Sequence, residues 1–366
     1  MVAPLLPIAV LVGCAGVPHE TLPRVEQAAF RKVAIQALED AAFGDSPTGR
    51  MHAIEAFKAV AQREGMKQFA IPLNIENRYA GASFAALMAV GEIGRKDWVD
   101  EHMMEAIRTR AEDPDPHVRM AALFVLHRLG DTKRTGELSE LLLNNPHARV
   151  RGNAAMVIGR LGDRKHVRLL RMALRREKKA APKLQVLASL AALGDQHAIE
   201  RLIFDGYSQY ADQASLALGM LADARCEDAE KLFWDRLREG SDHPEVPLQA
   251  ARGLAVLGSN EGLDLALKNL FFRFPRHVSP WNPAGQEIDR VRGLAALALE
   301  AMAAPEALGA LKKSFDEKGQ SEYVRIAIAR AAIRTIDRFQ TQAGDETEPV
   351  APVASGNDPR KNRSLE

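Results

Sequence analysis

Three segments of this chain end in the same words at a fixed interval. "VRMAALFVLHRLGD" occupies residues 118–131, "VRGNAAMVIGRLGD" residues 150–163 and "PKLQVLASLAALGD" residues 182–195, a period of 32. A period of this length is the mark of a repeat architecture, in which each unit buries its apolar face only against its neighbours. In the first two phrases a small residue is followed four positions on by a branched aliphatic and three further on by another, Ala122, Leu126, Leu129 and Ala154, Ile158, Leu161; in the third, Val186 takes the small residue's place before Leu190 and Leu193. Steps of four and three put these side chains on one helix face.

The same columns extend to both sides, with Ala86, Val90, Ile93 before and Ala214, Leu218, Leu221, then Ala250, Leu254, Leu257, then Ala295, Leu299, Met302 after. The position after the last aliphatic is Gly94, Gly130, Gly162, Gly194, Ala222, Gly258 or Ala303. Glycine tolerates the left-handed conformation that stops a helix. Asp131, Asp163, Asp195 and Asp223 follow directly and suit N-caps of a second helix. Asp115-Pro116 and Asn145-Pro146 suit a cap and a first-turn proline. Each repeat therefore reads as helix, sharp turn, helix. Weaker copies flank these, Ala53, Phe57, Val60 on one side and Ala329, Ile333, Ile336 on the other, as terminal repeats with polar outer faces would. The expected fold is an all-α solenoid of about 8–9 stacked helix pairs across residues 45–339.

"VRGNAAMVIGRLGD" resembles the first helix of short HEAT-like repeats, the compact form known from phycobiliprotein lyases. That resemblance covers roughly residues 45–337 and implies the fold. It implies little about activity, because one fold hosts many functions. HEAT-like hydroxylases hold two irons through repeated His-Glu pairs, whereas the one His-Glu here is His19-Glu20, outside the repeats.

The first 13 residues, "MVAPLLPIAVLVG", carry no charged side chain and lead into Cys14. They are too short to span a bilayer, which takes about 20 apolar residues, and suit the apolar core of a secretory signal. "LVGC", Leu11–Cys14, resembles the bacterial lipobox, although no Lys or Arg precedes the apolar run. The resemblance implies a signal peptide over 1–13 and lipidation of Cys14. It also implies a place in the cell envelope, with Ala15 favouring the outer membrane in a diderm cell. Residues 14–44 then form a tether and an amphipathic helix. Residues 340–366, rich in Pro, Gly and polar side chains, are expected to be disordered.

Several kinds of chemistry find no pattern. There is no Gly-x-Ser-x-Gly, no phosphate-cradling Gly-rich run and no closely spaced His or Cys pair, so no catalytic residue, metal or cofactor is expected. His117 and His147 read as exposed first-turn residues. Cys226, beside Glu227, Asp228 and Glu230, reads as a structural thiol. Arg119, Arg151, Arg292 and Arg325 each follow a Val and suit a ladder of ion pairs with turn acids such as Asp115. A net charge of +1 argues against a general nucleic-acid binder.

Two segments depart from plain repeat logic. Residues 164–183 hold nine Lys or Arg against one Glu. Arg164, Arg168, Arg171, Arg175 and Lys178 fall at helical spacing and form a cationic stripe on a second helix, the layer expected to line the concave face. Like charges so arranged repel, which an anionic partner would relieve. Residues 271–287 lengthen one repeat and gather Phe271, Phe272, Phe274, Arg276 and Trp281, a large share of a chain only 5% aromatic. Long loops within compact repeats are often functional, and aromatics anchor interfaces. The reading is a non-catalytic, membrane-anchored scaffold that binds a protein partner. The alternatives are a soluble HEAT-like enzyme or enzyme subunit of lyase or glycosylase type, and a binder of an anionic ligand through residues 164–183.

Overall fold

The computed structural model describes residues 17, 19–60, 75–93, 97 and 99–345, with side chains as far as 340. Cys14, the expected signal segment 1–13 and Gly94 lie outside the described residues. The architecture is all-α. Its helices are α1 (Arg24–Phe43), α2 (Pro47–Ala59), α3 (Ala80–Ile93), α4 (Glu101–Arg110), α5 (Pro116–Arg128), α6 (Gly136–Asn144), α7 (Ala148–Arg160), α8 (Val167–Arg176) and α9 (Ala180–Ala192). They continue with α10 (Gln196–Gly206), α11 (Ala211–Asp223), α12 (Glu230–Glu239), α13 (Glu245–Val256), α14 (Leu263–Leu270), α15 (Ala284–Met302), α16 (Leu308–Phe315) and α17 (Glu322–Asp345). This is the expected HEAT-like stack of helix pairs.

The first helices pack side by side in the order α2, α3, α5, α7, α9, α11, α13, α15, α17. The small residues explain how closely they approach. A Cβ on Gly91 would stand 2.5 Å from the Phe124 ring, and one on Gly159 would stand 2.7 Å from the Ser189 Cβ. Each second helix packs mainly on the first helix of the next repeat, and the second helices touch one another only sparsely. One layer is therefore narrow and the other wide, so the stack curves with the first helices inside.

The curvature brings the ends together. α17 packs against α2, and α1 packs against both. His52 of α2 meets Tyr323 of α17 edge to face with centroids 5.1 Å apart. α1 thus stands beside α17 where the second helix of a repeat would. Phe30 of α1, 3% exposed, seats against Phe315 at 5.5 Å, and Arg31 bonds Asp337 at 2.6 Å. Upstream of α1, the Glu20 backbone donates to Glu306 at 2.7 Å and accepts from Gly309 at 2.9 Å. The expectation of two polar end caps is corrected: the solenoid closes into a ring, and residues 19–43, with the expected N-terminal helix formed as α1, latch it.

Two boundaries also move. α17 runs to Asp345, past the expected end of order at 339, because Gln340, Gln342 and Ala343 suit a helix. α15 begins at Ala284, so the interrupting loop ends there and not at 287.

The repeat register slips once. The left-handed stop residues are Gly130, Gly162, Gly194, Gly258 and Ala303, as expected, but in the α11 repeat the stop is Arg225 (φ 51°) and not Ala222. α11 is extended by three residues, and a slip of three preserves an apolar helix face. The Cys226 amide accordingly donates to Leu221, as Asp131 does to Leu126 and Asp195 to Leu190. Asp163 and Asp195 cap as expected, accepting from Lys165 and Ala198 at 2.9 and 3.0 Å. Asp223 instead ends α11 and pairs with Arg252.

Candidate functional site

The basic segment lies on the outer wall. The expectation that it lines the concave face is corrected, because the second helices form the wide layer of the ring. It is also not one five-residue stripe on a single helix. Arg164 sits in a 3-10 turn before α8, and Lys178 lies in the loop after it, since Glu177 ends the helix with an extended backbone. α8 itself buries Leu170 and Ala173 and presents Arg168, Arg171 and Arg175 outward. Arg171 is fastened: its Nε donates to Asp195 at 2.6 Å, and the Asp195 side chain is 1% exposed. The side chains of Arg164, Arg168, Arg175 and Lys178 are exposed, and among the described residues they make no hydrogen bond or ion pair.

Glu177 organises the end of this segment. It takes a two-point contact from Arg151, at 2.7 and 2.9 Å, and bonds from the Lys178 and Lys179 amides at 2.9 Å. The Arg151 hydrogen bonds hold its pKa at about 2 against partial burial. An open cleft of about 390 Å³ lies beside it, lined by Asn145, Arg151, Arg176, Lys178 and Lys179.

The expected arginine ladder does not form as a single series. Arg119 donates to the Asp113 carbonyl at 2.7 Å, while Asp115 caps its own helix by accepting from His117. Arg292, nearly buried, bonds Glu317 at 2.6 Å, and Arg325 lies over the Phe315 ring at 4.4 Å. These arginines brace the turns between repeats. His117 contacts Asn153 at 2.9 Å, and burial draws its pKa below the usual histidine value. His147 is exposed. Cys226 is buried, and that burial pushes its thiol pKa up.

The aromatic loop divides into a packed part and a presented part. Phe271 and Phe272 finish α14 half-buried against the core. Beyond them Glu287, 1% exposed in the first turn of α15, accepts the Arg276 and His277 amides at 3.1 and 3.0 Å. Asn282 donates to the His277 carbonyl at 2.6 Å, and His277 stacks on His243 at 3.6 Å. Ser279 and Asn282 exchange two backbone bonds of 3.0 Å. On this tied backbone Trp281 is 93% exposed, Phe274 83% and Val278 55%. Arg276 stands beside them, 3.5 Å from Asp242. The sequence picked out the aromatics but not Glu287, whose only signal was an acid in a helix's first turn.

The inside of the ring was not legible as a surface. Arg160 at the end of α7 reaches past α5 to Glu92 at the end of α3, and Glu92 also meets Lys58 of α2 at 2.5 Å. Glu55 lies nearby. Desolvation raises its pKa, but His52, Lys58 and Arg160 together outweigh that and lower it. At the same mouth of the ring, Arg225, Arg252, Arg330, Arg334 and Arg338 line a cleft of about 420 Å³. Among the described residues no group of three metal-ligating side chains converges, and no helix is long and apolar enough to cross a membrane.

No protein-family model matches this chain, and no curated protein matches it. Solved structures with similar folds include human deoxyhypusine hydroxylase in complex with glycerol, 16% identical with a TM-score of 0.36 over 78% of this chain and 99% of that one. An engineered protein is 16% identical at a TM-score of 0.28 over 87% and 92% of the two chains. Kap121p is 11% identical at 0.33 over 86% of this chain and 39% of that one. The stacked helix pairs themselves define the class, a HEAT-like helical repeat protein, here closed into a ring. The expectation of a non-catalytic chain is corrected by the first of these structures. An enzyme has a similar fold, so the architecture does not exclude catalysis. A TM-score of 0.36 equally does not make this chain an enzyme.

Proposed function

We propose that this chain is an interaction scaffold of the bacterial cell envelope, held to a membrane by lipidated Cys14, with loop 273–283 as its recognition element. The observation that carries this reading is the pairing of firm backbone ties with exposed apolar side chains. Among the described residues Trp281 and Phe274 are the most exposed large apolar side chains, and the loop beneath them is tied by Glu287 and Asn282. Rigid, protruding aromatics lose little entropy on binding and anchor protein interfaces. The anchor rests on "LVGC", Leu11–Cys14, and the short-repeat likeness on "VRGNAAMVIGRLGD".

Crosslinking with mass spectrometry on cells carrying wild type, Phe274→Ser with Trp281→Ser, or Cys14→Ala tests both parts. The loop variant should lose partner crosslinks while staying at the membrane, and Cys14→Ala should leave the membrane fraction. An unchanged set of crosslinks in the loop variant removes the recognition element. Unchanged fractionation of Cys14→Ala removes the anchor. A second reading, an acidic partner on the outer basic segment, is favoured by the four unpaired cations there. It predicts that Arg168→Glu with Arg175→Glu changes the crosslinks.

A further inference from the structure

We infer that the arginine-lined cleft at the mouth of the ring, between the C-terminal ends of α11, α13 and α15 and the middle turns of α17, binds a multiply charged phosphate-bearing anion. Arg225, Arg252, Arg330, Arg334 and Arg338 line it, against two carboxylates, Asp223 and Glu300. Five cations and two anions leave a local charge of +3. The carboxylates are already committed. Glu300, 4% exposed, takes Arg330 at 2.7 Å and Arg334 at 3.3 Å, and Asp223 takes Arg252. The side chains of Arg225 and Arg338 are exposed and make no hydrogen bond or ion pair among the described residues.

Two features separate this cluster from ordinary cations at helix ends. A cation in a helix's last turn is favoured by the carbonyl dipoles. That effect does not reach the α17 arginines: Arg330, Arg334 and Arg338 lie in its middle turns, spaced four apart, where like charges repel. The second feature is Arg225 itself. It holds a left-handed backbone (φ 51°) at the helix stop where Gly130, Gly162, Gly194 and Gly258 stand in four other repeats and the small Ala303 (φ 48°) in a fifth. That conformation is unfavourable for a residue with a Cβ, and strain of this kind gathers at ligand sites. What the chain gains there is a guanidinium at the lip of the cleft.

The geometry selects the ligand class. Guanidinium forks match phosphate oxygens in two-point contacts. Forks from several helices meet a tetrahedral group from several directions more readily than a planar carboxylate. The local charge of +3 calls for a diphosphate or a phosphate dianion, and a cleft of about 420 Å³ holds one with a small attached group. The source is either a soluble phosphate compound or a lipid headgroup.

Calorimetry of the full chain with inorganic pyrophosphate at low ionic strength tests the site. Flotation with phosphatidylcholine vesicles, with and without phosphatidic acid, distinguishes the source. Wild type should bind pyrophosphate, phosphatidic acid vesicles or both. Arg225→Gly should weaken binding about tenfold, the worth of one charged hydrogen-bonding partner. Its melting temperature should hold or rise, because glycine suits the backbone there. Arg334→Gln with Arg338→Gln should weaken binding more than Arg225→Gly does. Lys268→Gln, at an exposed position of α14 on the outer wall, should leave it unchanged. The inference is overturned if neither probe binds, or if Lys268→Gln weakens binding as much as Arg225→Gly. It is also overturned if Arg225→Gly and the Arg334/Arg338 variant bind like wild type.

Discussion

A closed ring and an open solenoid respond differently to the loss of Phe30. Its side chain, 3% exposed on α1, seats against Phe315, itself 2% exposed, at a centroid distance of 5.5 Å. Phe30→Ala removes that seat, and truncations of this kind in a core cost about 3–5 kcal/mol. In an open stack each repeat depends only on its neighbours, so α1 would loosen and α2 would keep its protection through α3. In the ring, α1 holds α17, and α17 and α1 together cover the far side of α2. Weakening the latch therefore exposes two elements nearly three hundred residues apart in sequence. At a factor of ten per 1.4 kcal/mol, amide protection should fall about 10²–10³-fold in both Pro47–Ala59 and Glu322–Asp345. α7 and α9, on the opposite arc, should keep theirs. Hydrogen exchange with mass spectrometry on the full chain reads all four segments at once. Loss of protection confined to α1 and α17, with α2 unchanged, would refute ring closure.

Glu177→Gln breaks the two-point contact with Arg151, whose side chain is 19% exposed against 6% for Glu177. The folded pKa of about 2 lies below the ordinary 4.5, so the pair stabilises the fold fully above pH 4.5 and loses that effect as pH falls toward 2. The variant should be less stable at pH 7 by about 2–3 kcal/mol, or about 3–5 °C in melting temperature. The gap from wild type in urea midpoint should shrink steadily between pH 4.5 and 2, and a gap independent of pH contradicts the assignment. Gly91→Val drives a side chain into the Phe124 ring, which is fully buried and has nowhere to move. It should lower the melting temperature by about 3 °C or more through overpacking of about 2 kcal/mol. Trp281→Ser, at a site 93% exposed, should leave stability within about 0.5 kcal/mol, so a large drop in a thermal melt would mean the indole packs on the ring in solution.

The helix pairs were readable because their cause is local. Ala154, Ile158 and Leu161 share a face by spacing alone, and Gly162 stops a helix whatever its neighbours do. The one misread repeat is instructive. Leu218 and Leu221 are three apart, and so are Ala222 and Arg225, so an apolar face read three residues early looks the same on paper. Only the observed φ of 51° at Arg225 identifies the stop. The aromatic loop was found from its broken period and rare residues, while its fixing carboxylate, Glu287, gave no comparable signal. The basic segment was found from its charge, but Arg171 was counted as free because its partner Asp195 lies in the next repeat.

By itself the sequence determined the repeating unit, its helix stops and most of its caps, since these follow from interactions within a few residues. Tertiary structure decided which layer faces inward, that α1 completes the last repeat beside α17, and that arginines from separate repeats converge at one mouth. Those outcomes depend on how small differences in spacing between the two helix layers accumulate around the whole stack. No single repeat carries that sum, and it becomes visible only where Phe30 meets Phe315 and the ring closes.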